Sequence, residues 1–292
     1  MVLLACPKLA RPGWWTYVDA GSPRPEGREM SVGFARRMWA LDCPTLTVDA
    51  ISLMYGLSGK VTIPMPAFLI EHQQGLVLFD TGIYPDAIED PVAIYGQELA
   101  DGLGITGTVD QRIDRQIAAL GYKLEDVKYV ISSHLHFDHA GGHHLFPNAT
   151  FYAGQGELEF AFFPAKLGSF CFIPEHVAQY REWNWRVVPR GTDLDVFGDG
   201  SLIILSTPGH TPGEVSLKVR LASRTFLLTG DAVHLRAALE NEWPFPLDVD
   251  TLSAVHSLLR IKRMAESEDL SVWINHDPDD WAQYQHAPYC YE

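Results

Sequence analysis

His134, His136, Asp138 and His139 stand within six consecutive positions of the run Ser133-His-Leu-His-Phe-Asp-His-Ala-Gly-Gly142, so a chain carrying them must fold to bring four donor side chains together. Imidazole and carboxylate are the groups that hold zinc and its neighbours. The alternating pair His134/His136 can turn two nitrogens to one ion, while Asp138 and His139 serve a second. With 12 His in 292 residues, three at these offsets are not a chance scatter over the surface. Two adjacent cations point to hydrolysis.

The other candidate ligands share one placement, just beyond an apolar, β-rich run. The runs Leu76 to Phe79 and Lys128 to Ser132 end at Asp80-Thr-Gly82 and at His134. Leu202 to Ser206 leads into Thr207-Pro-Gly-His210, Phe226 to Thr229 into Gly230-Asp231, and Ser271 to Ile274 into Asn275-His-Asp277. Further strands are predicted over Thr45 to Leu53 and Ala67 to Ile70. A helix after Asp110 is predicted from Ile113, Ile117 and Leu120 with Gly121 as its C-terminal cap, and another from Leu252, Val255, Leu258, Leu259 and Met264. Mostly apolar strands interleaved with helices give an α/β chain, whose ligand sites lie at the carboxyl ends of strands.

Composition narrows the partners. With 47% apolar and 20% charged residues the chain can build a sizeable core. A formal charge of −15 repels phosphate backbones and anionic membranes, so neither nucleic acid nor membrane is expected as a partner. Cys6, Cys43, Cys171 and Cys290 lie far apart, which fits reduced thiols in the cytoplasm. Leu3-Leu-Ala-Cys6 resembles the end of a lipoprotein signal but lacks the apolar core that should precede it. Prolines 7, 12, 23 and 25 and glycines 13, 21 and 27 interrupt the start, so 1–45 is expected to be an arm and 46–292 a single hydrolase domain. The arm carries Trp14 and Trp15 and could serve a homodimer contact.

From about Thr45 to its end the chain resembles the metallo-β-lactamase superfamily, on the motifs Asp80-Thr-Gly82, His134-x-His-x-Asp-His139, His210, Asp231 and His276. The resemblance implies an αββα sandwich of two similar halves with a dinuclear metal site at one edge of the sheets. By carry-over, His134, His136 and His210 would hold one divalent ion, and Asp138, His139 and His276 the other. Asp231 would bridge them, and Asp80 would orient a ligating imidazole from behind. Zinc is the first expectation for both ions, with Fe, Mn or Co open to the same donors. His143 and His144 are assigned to surface or helix packing, and His72, His176 and His256 to structure.

Within that superfamily a bridging aspartate argues against antibiotic hydrolysis, the 16 residues after His276 leave no room for a glutathione-gripping helical domain, and the charge argues against processing of transfer RNA. The wording Ile131 to Gly142, Ser206 to Gly213 and Leu228 to Ala232 is similar to that of N-acyl homoserine lactone lactonases, the quorum-quenching group. The implied reaction opens a lactone ring with a hydroxide formed between the ions, Asp138 carrying the proton to the departing ring oxygen. Many of those enzymes have a tyrosine three residues after the bridging aspartate. This chain has His234, expected to donate to the lactone carbonyl and to depend on protonation near neutral pH. Trp183, Trp185, Phe170, Phe172 and Trp243, with Trp14 and Trp15, are candidates to line an acyl groove. Hydrolysis of a different lactone or ester stands as the alternative, and a non-catalytic ligand-binding or scaffold role as an alternative of another class.

Overall fold

A computed structural model describes residues 15–18, 33–166 and 168–292. Two sheets form the centre. The larger is built from β1 (Trp15–Tyr17), β2 (Arg37–Leu41), β5 (Ala67–His72), β6 (Gly75–Phe79), β7 (Val127–Ile131), β8 (Thr150–Gly154) and β9 (Asn184–Val188), with β3 (Thr45–Asp49) and β4 (Lys60–Pro64) forming a separate hairpin. Its order is β1-β9-β8-β7-β6-β5-β2. The smaller runs in sequence order through β10 (Leu194–Asp195), β11 (Leu202–Ser206), β12 (Val215–Arg220), β13 (Thr225–Leu228) and β14 (Leu270–Trp273).

Period-two alternation decides which side chains meet. Phe68, Ile70, Val77 and Phe79 face the gap between the sheets and pack with Leu217, Val219, Phe226 and Trp273. Their neighbours Leu69, Leu76 and Leu78 turn outward, against Ile113, Ile117 and Leu158 from helices covering the larger sheet. The helix Thr251–Ser267 covers the smaller sheet through Leu258 and Ile261, which join Leu205, Leu227 and Val272. The result is the expected αββα layering. That helix is turned from its predicted face: Leu252 is exposed, and Ala254, Ser257, Leu258 and Ile261 are buried. The small Ala254 is needed inward because Gly209 lies against its backbone, where a β-carbon on Gly209 would come within 2.3 Å.

The parallel pairings β6·β7, β7·β8 and β13·β14 align the carboxyl ends of these strands. β11 and β13, both antiparallel to β12, end on the same side. Asp80, His134, His210, Asp231 and His276 therefore emerge along one edge of the sandwich, as an α/β site requires. Gly121, at φ +87°, closes the helix Ile113–Ala119 as expected.

The structure draws no line at residue 45. Trp15–Tyr17 pairs in parallel with β9, and Arg37–Leu41 pairs with β5, so the stretch read as an arm supplies both edge strands of the larger sheet. The apolar run Met38-Trp-Ala-Leu41 is almost wholly buried, which outweighs the prolines and glycines ahead of it. Strand Thr45–Asp49 is shorter than predicted because Ala50–Leu53 turns into a helix. Cys6 and Trp14 lie outside the described residues, in which no helix is long and apolar enough to cross a membrane.

One polar clamp ties the site edge to its frame. Arg236 donates through Nε and a terminal nitrogen to the two oxygens of buried Asp280, each at 2.6 Å, and its backbone N–H donates to Asp277. Asp280 also accepts from Ile274 N. The clamp thereby joins the segments bearing His234 and His276. Arg236→Met should leave a buried carboxylate without its cation and cost about 2–3 kcal/mol, read as a lower urea midpoint at unchanged slope. An unchanged midpoint would show that the clamp adds nothing.

Candidate metal centre

β7 delivers Ser132 and Ser133 wholly buried, and the chain then turns through His134 and His136 into the short helix Phe137–Ala140. This geometry puts His134 and His136 on one side of a small hollow and Asp138 and His139 on the other. His210 arrives from the turn after β11, Asp231 after β13 and His276 after β14. All seven donors expected from the sequence meet, and the six other than Asp138 are at most 7% exposed.

The donor atoms form two groups sharing Asp231. His210 Nε2 lies 3.1 Å from His136 Nδ1 and 3.5 Å from Asp231 Oδ2, which is 3.9 Å from His134 Nε2. On the other side, His139 Nε2 and His276 Nε2 are 3.1 Å apart, at 3.2 and 3.1 Å from Asp231 Oδ1. Asp138 Oδ2 completes this group, 3.6 and 3.7 Å from the same nitrogens. His134, His136 and His210 form one cluster able to hold an ion, and Asp138, His139 and His276 another.

Hydrogen bonds behind the ring nitrogens decide whether cations fit. His276 Nδ1 is 2.7 Å from the carbonyl oxygen of Pro64, which can only accept, so Nδ1 carries the proton and Nε2 presents a lone pair. His139 Nδ1 faces Asp80 Oδ2 at 2.9 Å, with the same consequence. Two imidazole nitrogens and two carboxylate oxygens thus point at one spot, a donor set that fits a cation between them when the rings are neutral. His134 Nε2 and Asp231 Oδ1 are buried without a hydrogen-bond partner, as ligand atoms awaiting an ion would be.

Charge leads to the same result. Asp80, Glu157 and Glu214 are wholly or almost wholly buried, Asp231 is 5% exposed, and the Asp138 side chain is 13% exposed. Among the described residues their only ionic partners are histidines, with no Lys or Arg. Carboxylates buried in such number call for cations. Burial, then neighbouring imidazoles, hold His134 and His136 well below the ordinary histidine range. For His139 burial acts in the same direction, but Asp231, Asp138 and Asp80 outweigh it and push the ring well above that range. Burial alone would raise Asp231, but His276, His139, His234 and His134 carry it well below the usual carboxylate value.

Asp80 sits behind His139, and also accepts from Ser133 N at 2.7 Å and Ser133 Oγ at 2.9 Å. Its φ of +58° is left-handed, a conformation that aspartate tolerates better than most residues.

Other expectations are corrected. His234 does not point to solvent; it lines the cleft over the donors with its Nε2 engaged by Asp231. It is 4% exposed, its ring stacks on Phe245 at 3.8 Å, and its Nε2 lies 3.0 Å from Asp231 Oδ2. Burial lowers its pKa despite Asp231, so protonation near neutral pH is not favoured. With Nε2 committed to the carboxylate, Nδ1 is left buried and unpartnered, and the expected donation to a lactone carbonyl is not prepared. Of the two places expected for His143, packing is the one found: it is 1% exposed, bonded to Ser132 Oγ at 3.0 Å, and packed against Phe151 and Trp183. Trp183 and Trp185 belong to the core beneath the larger sheet.

Phe170 does line the cleft that opens over the donors, a space of about 330 Å³. Leu46, Leu53, Leu99, Leu103 and Phe245 give it a mainly apolar wall, and His136, Asp138, Asp231 and His276 form its floor. Phe172 touches this floor through its contact with the His136 ring, and Trp243 lies half-exposed beside a smaller hollow. Trp15 packs on the core below the larger sheet, away from the cleft.

Sequence reading missed Glu214, Glu157 and Asp248. Glu157 accepts from Leu135 N and Gly213 N, tying the first metal loop to the turn after His210. Asp248 Oδ1 lies 3.5 Å from His210 Nδ1. Glu214 stands between His134 and Asp231. The available signal was an acidic residue at the head of the alternating run Val215 to Val219.

The profile of the metallo-β-lactamase superfamily matches residues 66–270. The chain is 36% identical over 259 residues to the N-acyl homoserine lactonase AttM of Rhizobium radiobacter, covering 87% of this chain and 98% of that protein. It is 32% identical over 221 residues to the N-acyl homoserine lactonase AiiA of Bacillus thuringiensis subsp. kurstaki, covering 75% and 84%. The fold superposes with a TM-score of 0.77 and 26% identity on an N-acyl homoserine lactone hydrolase solved with N-hexanoyl-L-homoserine at its catalytic metal centre, covering 89% of this chain and all of that one.

Proposed function

From the premise that this chain belongs to the metallo-β-lactamase superfamily, we propose that it is a dinuclear metallo-hydrolase that opens the lactone ring of N-acyl homoserine lactones. The observation that carries the reading is the meeting of two lone-pair clusters on Asp231 at the floor of an apolar cleft. In this reading His134, His136 and His210 would hold one ion and Asp138, His139 and His276 the other, with Asp231 shared between the two clusters. Zinc suits the nitrogen-rich donor set. The free cysteines Cys43, Cys171 and Cys290 accord with a reducing, cytoplasmic setting.

Divalent ions bound there supply hydroxide from water at neutral pH and polarise an ester carbonyl. The residues do the rest. Asp138, the most exposed of the donors, borders the cleft and can take the proton released as water attacks and hand it to the departing ring oxygen. His234 holds Asp231 from the cleft side, and its stack on Phe245 fixes the angle of approach. The apolar wall takes the acyl chain and excludes bulk water, leaving the lactone at the floor.

Acid release from N-butanoyl, N-hexanoyl and N-octanoyl homoserine lactones, an unacylated lactone and a simple aryl ester tests the reading. Each methylene buried in the wall should contribute ~0.8 kcal/mol, or about fourfold in kcat/KM, until the cleft is filled. An unacylated lactone or plain ester turned over as fast as the acylated substrates would move the assignment to that substrate. Bound ions with no acid released from any of them would leave a non-catalytic protein.

A further inference from the structure

We infer that Glu214 is a positioning residue that fixes His134 in the ion-binding tautomer and sets the place of Asp231. The inference rests on the dinuclear reading above and concerns the first ion.

Glu214 is 1% exposed, at the entry to β12. Its Oε1 accepts from Asp231 N at 2.9 Å, and its Oε2 lies 3.1 Å from His134 Nδ1 with no hydrogen-bond partner of its own. Among the described residues the hydrogen-bond partner of His134 Nδ1 is Ser133 Oγ, at 3.0 Å, which already donates to Asp80. His134 Nδ1 therefore faces an oxygen whose hydrogen is engaged elsewhere and a carboxylate oxygen. The hydroxyl can only accept there and the nearby carboxylate attracts the same proton, which places it on Nδ1 and leaves the Nε2 lone pair turned to Asp231. The space is shaped around this carboxylate: a β-carbon on Gly230, whose φ is +56°, would come within 2.5 Å of Glu214 Oε1.

Asp80 occupies the corresponding place behind His139. Each ion thus has its own buried carboxylate, one acting through His134 and the other through His139. A carboxyl group with two acceptors is required at 214. Glutamine has the same size but one acceptor, so it must turn its amide N–H either towards Asp231 N, donor against donor, or towards His134 Nδ1. The second choice reverses the His134 tautomer and puts a proton where the ion should be.

The test compares zinc-loaded full-length wild type, Glu214→Gln and Asp80→Asn by metal content after equilibration with a graded chelator. Loss of such a partner weakens the affected ion by about 10- to 100-fold. Glu214→Gln should release one ion at chelator concentrations that leave both in wild type. Adding His136→Ala to Glu214→Gln should cost no further ion, whereas adding His276→Ala should empty the site. Retention of both ions at wild-type affinity by Glu214→Gln would overturn the inference. So would the Nε2–H tautomer of His134 in the nitrogen-15 spectrum of zinc-loaded wild type, a measurement that needs no variant to fold. A wild type that binds no zinc would instead remove the dinuclear reading itself.

Discussion

Asp231→Asn should lower kcat/KM for an N-acyl homoserine lactone by at least about 10³-fold, a loss of roughly 4 kcal/mol of transition-state stabilisation. Asp231 Oδ1 lies 3.1 and 3.2 Å from His276 and His139, and Oδ2 lies 3.0 Å from His234 and 3.5 Å from His210. An asparagine keeps one acceptor and gives the other cluster an N–H. That cluster then has a donor pointing at its ion, and the pair loses the shared anion that lets two cations lie side by side. The measurement is kcat/KM together with metal content, and both should fall. Asp231→Asn with two ions and full turnover would show that the carboxylate does not bridge. By contrast, Asp138→Asn should keep the ion held by His134, His136 and His210 while reducing kcat about 10²- to 10⁴-fold, as loss of a proton carrier does.

The site was legible in the sequence because its ligands obey a local rule, each following an apolar run, and because four of them share one short segment. Its supporting residues follow no such rule. Glu214 and Glu157 matter through partners 80 and 22 residues away in the chain, so their roles follow only from the fold. Strand β2 was hidden for a similar reason: its stability comes from pairing with Ala67–His72, while the prolines and glycines before Gly33 dominate the local pattern. The aromatics were misjudged where burial alone decides. Trp185 alternates with exposed Asn184 and Arg186, the signature of a strand with one inward face, and that period places it in the core. Phe170 lines the cleft from an irregular loop, where no period exists to read. For His234 the position was found but the direction was not, because a single ring nitrogen chooses between a ligand and Asp231 only in three dimensions.

Removing the ions should unfold the protein more readily as well as silence it. In the ion-free state the buried carboxylates Asp80, Glu157, Glu214 and Asp231 have no Lys or Arg beside them among the described residues, and burial acts to raise the pKa of each. An ion that binds only the folded chain stabilises it by about 4 kcal/mol when present at 1,000 times its dissociation constant, so two ions contribute roughly 8 kcal/mol. At about 2 °C per kcal/mol for a chain of this size, exhaustive chelation should lower the melting midpoint by roughly 15 °C, and readdition of zinc should restore it. The fold should survive at low temperature, since the core between the sheets contains none of the ligands. His136→Ala and His276→Ala, each removing a donor from one cluster, should each give about half of that shift, and chelation should then add only the remainder. A midpoint indifferent to chelator, with activity nevertheless lost, would mean that the ions serve chemistry alone and that hydrogen bonds such as those from Ser133 to Asp80 and from Leu135 to Glu157 suffice to hold the buried charge.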